Sequence, residues 1–280
     1  MTYVLSKYSN LTQRIITGLI GAAIILTAIS WNEWGFFAVF FIICLFSLLE
    51  FYKNVGLDGM LPLKTYGSFI ALVIYCLTFF VEKQVLPSYL LYLAFPVMAG
   101  AFFIKLYKKD VKKPFTNIAF TFLGVLYVAI PFALLVIIAF AKGYYSYQLV
   151  IGCLLLHWAS DTGAYFAGVR FGKTKLFERV SPKKSWEGSI GGTLTALAMA
   201  YVVSLYFSDL LLWQWMTLAA IIIIAGTYGD LVESMFKRSI EVKDSGTFIV
   251  GHGGFLDRFD GLLLSTPFIV AFLKIFLYPS

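Results

Sequence analysis

The sequence predicts an all-α polytopic membrane protein with about nine transmembrane helices. Of its 280 residues, 60% are hydrophobic and only 13% are charged, against about 25% charged in an ordinary soluble domain. Apolar runs long enough to cross the hydrocarbon core recur along the whole chain. A β-barrel alternation is absent, so helices are the means by which this backbone satisfies itself in lipid.

The expected spans are 15–31, 35–52, 65–81, 87–106, 117–140, 147–168, 188–207, 211–229 and 261–278. The eighth is expected to continue as a helix to about Arg238, because nothing in LVESMFKR breaks it. The first is not read as a signal peptide, since no small-residue cleavage site ends it and further spans follow. With the N-terminus inside, 19 of the 22 basic residues fall in cytoplasmic segments. Only Lys83 and Lys142 fall in outside loops, and Lys274 lies near the end of the last span. That bias orients the chain N-terminus in and C-terminus out. The net charge of +7 then reflects topology and attraction to anionic headgroups and substrates, not nucleic acid. Cys44, Cys76 and Cys153 lie within apolar helices at unrelated spacings and read as packing residues.

The organisation is uneven. Residues 1–140 hold about five spans joined by short loops, a scaffold whose one marked polar feature is the basic loop KLYKKDVKK. Residues 141–280 hold four spans and two long polar segments, 169–187 and 230–260, where any chemistry is expected.

The first polar constellation runs from His157 to Gly192. Asp161 lies within the sixth span, on a helix whose Ala159, Gly163 and Ala167 form a small-residue face. Two readings of Asp161 stay open: a buried, hydrogen-bonded packing group, or a residue beside a site at the membrane surface. His157, one turn deeper, reads as a satisfied core histidine. GVRFGKT fails as a phosphate-binding P-loop, because Gly168 and Gly172 have three residues between them and the pattern requires four. What remains is a basic loop, with two readings open: Lys173, Lys175, Lys183 and Lys184 hold phosphates as point charges, or they make an ordinary positive-inside loop. In SPKKSWEGSIGG, Ser185 is expected to cap a helix with Glu187 in its first turn. Gly188, Ser189 and Gly192 would then lie at an exposed helix N-terminus suited to an anion.

The second constellation packs six acidic and four basic residues into Gly229–Gly261. Charge at a membrane edge is costly unless paired or used. On a continuing helix, Asp230, Glu233, Ser234 and Lys237 share one face. The plain alternative is an exposed i,i+4 pair of Glu233 and Lys237, which leaves Asp230 unexplained. Gly251, Gly253 and Gly254 suit a tight turn with N–H groups turned to phosphate. Asp257 and Asp260 share a face at the start of the last helix. Carboxylates beside lysines, arginines and glycine backbone are what a Mg²⁺–polyphosphate site requires, whereas zinc-type His/Cys spacing is absent.

The run Ser234-Met-Phe-Lys237-Arg238, then Lys243-Asp244-Ser-Gly, then His252-Gly-Gly-Phe-Leu-Asp257-Arg258-Phe-Asp260 resembles the signature of the phosphatidate cytidylyltransferases, or CDP-diacylglycerol synthases. DTGAYFAG and SPKKSWEGSIGG are similar to that family as well. The resemblance covers about 157–265 and is only topological before that; Val250 stands where the family usually has proline. It implies the reaction of CTP with phosphatidate to give CDP-diacylglycerol and pyrophosphate, with Mg²⁺ and a second cation such as K⁺, in a homodimer of the cell inner membrane with a cytoplasmic-face active site. Carried over by position, Asp230 and Asp257 are the metal carboxylates and Ser189 and Ser234 lie beside metals and phosphates. The expected catalytic set is Asp230, Asp257, Asp260, Lys237, Arg238 and His252, the last orienting a phosphate. Lys173, Lys183, Lys184, Lys243, Gly253, Gly254, Arg258 and Asp161 complete the substrate-binding set. Two rival readings are another CDP-lipid enzyme, a CDP-alcohol phosphotransferase, whose acidic motif does not appear, and an anion transporter, which would place its charges near the midplane.

Overall fold

The computed structural model describes residues 10–57, 59, 61–109, 112–242, 246 and 253–277. Among these the chain forms nine long helices: α1 (Asn10–Trp31), α2 (Glu33–Leu57), α3 (Lys64–Glu82), α4 (Ser88–Tyr107), α5 (Pro114–Ala139), α6 (Tyr147–Phe171), α7 (Trp186–Tyr206), α8 (Leu212–Ser239) and α9 (Leu256–Leu277). Eight of them are long and apolar enough to cross a membrane, and α1 contributes a shorter apolar stretch, Ile16–Trp31. Each expected span is present, and α8 does run on through its polar end to Ser239.

One element was not expected. Between α6 and α7 the chain forms an antiparallel hairpin, β1 (Lys175–Phe177) and β2 (Ser181–Ser185), with Lys175 opposite Ser185. Its strands are short and rich in lysine, so they carry none of the apolar alternation by which a strand is recognised.

The chain divides into two compact units. Met1–Val136 with Ile240–Phe259 forms the first, and Ile137–Ser239 with Asp260–Ser280 the second.

In the first unit, aromatic side chains fill the space that glycines vacate. Tyr52 of α2 lies where a Cβ on either Gly67 of α3 or Gly124 of α5 would stand, 2.2 Å from its hydroxyl and 2.5 Å from its ring respectively. Its hydroxyl donates to the Thr121 carbonyl at 2.7 Å, so the phenol is satisfied in the core. Phe40 and Phe132 pack against Phe259. Where α2 begins and α3 ends, Lys83 pairs with Glu33 at 3.0 Å and lies 4.1 Å over the Trp34 ring.

In the second unit the α6–α7 hairpin is joined by small residues. A Cβ on Gly163 would stand 1.9 Å from Thr195 Oγ1, and one on Gly191 2.2 Å from the Ala167 Cβ. The small-residue face read from the sequence is therefore the seam against α7. Trp215 of α8 packs onto Gly152 of α6, and Gly229 of α8 meets the backbone of Asp260 and Gly261 on α9. Lys142 pairs with Asp209 at 2.8 Å. Burial acts to lower the pKa of Lys142, and hydrogen bonds to Asp209 and Tyr144 more than offset it, leaving it raised. Lys83 and Lys142, the two lysines expected in outside loops, thus each carry an acidic partner.

Candidate active site

Ser185 ends β2 and caps α7: its Oγ accepts the Gly188 N–H at 3.2 Å. Glu187, in the first turn as expected, reaches back instead of outward. Its carboxylate accepts the backbone N–H groups of Lys173 and Thr174, each at 3.1 Å. The Trp186 N–H closes the same corner on the Thr174 carbonyl at 3.0 Å. The start of α7 thereby fixes the basic loop and the hairpin that follows it.

The expectation of an exposed glycine-rich N-terminus is corrected here. Gly188 and Gly192 are buried, with Gly188 against Ala164 and Gly168 and Gly192 against Ser160. They permit close helix packing and do not face an anion. Ser189 remains half-buried, its Oγ donating to the Ser185 carbonyl at 3.3 Å.

Strand alternation sends adjacent lysines to different places. Lys183 is exposed, while Lys184 turns inward and its ammonium sits on the Asp230 carboxylate of α8. Asp260, at the start of the second unit's share of α9, is a hydrogen-bonding and electrostatic neighbour of Asp230 and lies in the field of Glu233. Its Oδ1 accepts the Gly261 N–H at 2.8 Å. Close approach at Gly229 and Gly261 makes this possible, because a Cβ on Gly261 would stand 3.6 Å from Asp230 Oδ1. Side-by-side carboxylates repel unless a proton or a cation is held between them, and the Lys184 ammonium stands at the Asp230 member of the pair.

Farther along α8, Glu233 and Lys237 pair at 2.6 Å. The pair expected on an exposed face is instead largely buried, with the two side chains 2% and 14% exposed. Ser234 is half-buried and Arg238 exposed. Lys173 is exposed, leaving its ammonium in solvent while its backbone is held. Asp161 is exposed on α6, away from the buried Gly163 seam, which removes the reading of it as a buried packing group. His157 is the satisfied core histidine: its Nε2 shares a 2.9 Å hydrogen bond with Ser265 Oγ of α9.

In the first unit, Gly253 takes φ +81°, the left-handed conformation that glycine adopts without penalty. The Gly254 N–H donates to Asp257 Oδ2 at 3.0 Å, so this amide is engaged by Asp257 and is not open to phosphate. Arg258 is exposed. Lys243, Val250, Gly251 and His252 lie outside the described residues.

A carboxylate that motif reading passed over anchors this turn. Glu50 of α2 is 1% exposed and accepts the Leu256 N–H at 3.0 Å through Oε2. Its lone charge inside the run FSLLEFYK was the available signal, since an acid there requires a partner.

Among the described residues, no group of three or more His, Cys, Asp or Glu side chains forms a ready metal cage. The donor chemistry of Asp230 and Asp260 nonetheless fits Mg²⁺, which uses one or two carboxylates and fills its remaining positions with water and phosphate oxygens. Lys184 already places positive charge at that carboxylate.

The chain is similar to known proteins over most of its length. The chain is 32% identical to a Bacillus subtilis phosphatidate cytidylyltransferase over 275 residues, covering 95% of this chain and 99% of that one. It is 46% identical over 135 residues to a Haemophilus influenzae protein of the same name, covering 46% of each chain. To one from Staphylococcus haemolyticus it is 41% identical over 157 residues, or 55% of this chain and 58% of that one. The cytidylyltransferase family pattern matches residues 12–276, from α1 to the last turns of α9, and the chain belongs to that family.

Proposed function

We propose that this membrane protein transfers CMP from CTP to phosphatidate, forming CDP-diacylglycerol and pyrophosphate. The observation that carries the reading is the Lys184–Asp230–Asp260 cluster at the polar end of α8, in a chain aligned over nearly its whole length with a phosphatidate cytidylyltransferase.

A phosphate oxygen of the lipid attacks the α-phosphorus of CTP. The new P–O bond forms as the bond to the bridging oxygen breaks, and that oxygen leaves with pyrophosphate. The nucleophile is already ionised near neutral pH, so no strong base is required. The demand falls on alignment and on neutralising phosphate charge, as in other phosphoryl transfers. Lys173, Lys183 and Arg238 are exposed cations for that purpose. Ser189 and Ser234 supply hydroxyl donors. Asp230, with Asp260 beside it, is the carboxylate we assign to Mg²⁺, which when bound neutralises phosphate oxygens. Asp257 keeps its assignment to metal chemistry on sequence grounds. The charge bias of the loops supports an N-terminus on the cytoplasmic side of a cell membrane, where CTP is available, and the family resemblance supports a homodimer.

Purified protein given CTP, phosphatidate and Mg²⁺ should release pyrophosphate and form CDP-diacylglycerol. Absence of both products, beside an active control enzyme, overturns the proposal.

A further inference from the structure

Within the first unit, the ends of α2, α3 and α4 border an open cavity of about 590 Å³ lined by Lys53, Lys64, Lys108, Thr65, Leu61 and Ile104 among others. Three lysines converge on it, one from each helix end. Among the described residues none of the three ammonium groups forms a salt bridge or a hydrogen bond, and Lys53 lies in the field of the buried Glu50 carboxylate. Asp58 and Asp110 lie outside the described residues. Glu50, the buried carboxylate one turn before Lys53, accepts the Leu256 N–H.

The floor of the cavity is built with unusual care for a short connection. The Leu61 N–H donates to Asn117 Oδ1 at 2.9 Å, and the Leu63 N–H to Thr121 Oγ1 at 2.8 Å. Lys105 Nζ donates to the Leu61 carbonyl at 3.2 Å. These three side chains are 2%, 0% and 6% exposed. Burying polar groups is costly unless each is satisfied, and here each is spent on holding one loop backbone in place. The N-terminus of α3 that follows has no side-chain cap, so its helix dipole adds positive potential to the same space.

We infer that this cavity, built entirely from residues of the first unit, binds the phosphate headgroup of an anionic phospholipid. A lipid is favoured over a free anion because apolar side chains stand among the lysines and are exposed: Leu61 is 66% exposed and Ile104 39%, and both line the cavity. Such side chains receive acyl chains while the lysines meet the phosphate, as basic pockets between helix ends do. The site stands whether or not the chain's catalysis is as proposed.

The test uses purified full-length protein and phosphatidylglycerol, which is not a substrate of the proposed reaction. Binding is read by native mass spectrometry and by thermal shift, with phosphatidylcholine and inorganic phosphate as separate arms. Each lysine replaced by glutamine should weaken phosphatidylglycerol binding about fivefold, and the Lys53→Gln/Lys64→Gln/Lys108→Gln protein should lose the thermal shift. The corresponding triple arginine variant should keep it, and phosphatidylcholine should not distinguish the proteins. Equal phosphatidylglycerol binding by wild type and the triple glutamine variant overturns the site. A shift produced by inorganic phosphate alone overturns its assignment to lipid. Should the triple variant fail to fold, Lys108→Gln, an exposed change, decides by the same readouts.

Discussion

Glu50 Oε2 accepts the backbone N–H of Leu256 at 3.0 Å, joining residues 206 positions apart. The bond ties the first turn of α9 to α2 and sets where Asp257, the next residue, begins its helix. Replacing Glu50 with alanine leaves a buried N–H unmade, at a cost of about 1–3 kcal/mol. Glutamine keeps an acceptor in the same place. We expect Glu50→Ala to lower the unfolding temperature and turnover together, and Glu50→Gln to recover most of both. Wild-type behaviour of Glu50→Ala in thermal unfolding would show the bond to be dispensable.

Asp230 carries the cation in the second unit, so its charge should matter more than its shape. Asp230→Asn is expected to reduce CDP-diacylglycerol formation by about 10²-fold or more, with helicity by circular dichroism unchanged. Lys184→Arg should retain more activity than Lys184→Ala, because Lys184 acts there through charge.

Glu233 and Lys237 form a largely buried pair. Removing one partner of such a pair strands a charge and costs about 3–5 kcal/mol, whereas replacing both with apolar groups is far milder. Lys237→Met alone should therefore destabilise the protein more than Glu233→Leu/Lys237→Met does. Denaturation of the three proteins in one detergent checks the order.

Gly163 has no room for a methyl group, since its Cβ would stand 1.9 Å from Thr195 Oγ1 and 2.7 Å from the Gly191 carbonyl. Gly163→Ala should cost about 1–3 kcal/mol through overpacking of the α6–α7 seam. At Gly21 of α1 nothing lies within 4 Å, and alanine there should be neutral or stabilising by about 0.5–1 kcal/mol. Thermal unfolding should show a lowered midpoint for Gly163→Ala and an unchanged or raised one for Gly21→Ala.

Much of the fold was legible because membrane insertion depends on local apolarity. Every expected span corresponds to a helix, and α8 continues through Glu233 and Lys237 as its unbroken sequence required. Ser185 was recognisable as a cap because capping is decided within one turn. The β1–β2 hairpin was not, because strands of three and five residues this rich in lysine lack the apolar alternation by which a strand is recognised. Nor was the fate of Gly188, which looks like an open phosphate cradle until α6 is packed against it.

The sequence by itself determined the nine helices, the concentration of polar residues in two segments, and the carboxylates and lysines available for phosphate chemistry. Those properties follow from residue type and short spacing, which each stretch of chain carries alone. Only the tertiary structure decided that Lys184 and not Lys183 meets Asp230, that Asp260 lies beside it, and that Glu50 holds the turn before Asp257. A buried charge requires a partner, but which partner it finds depends on where helix packing places residues far apart in the chain.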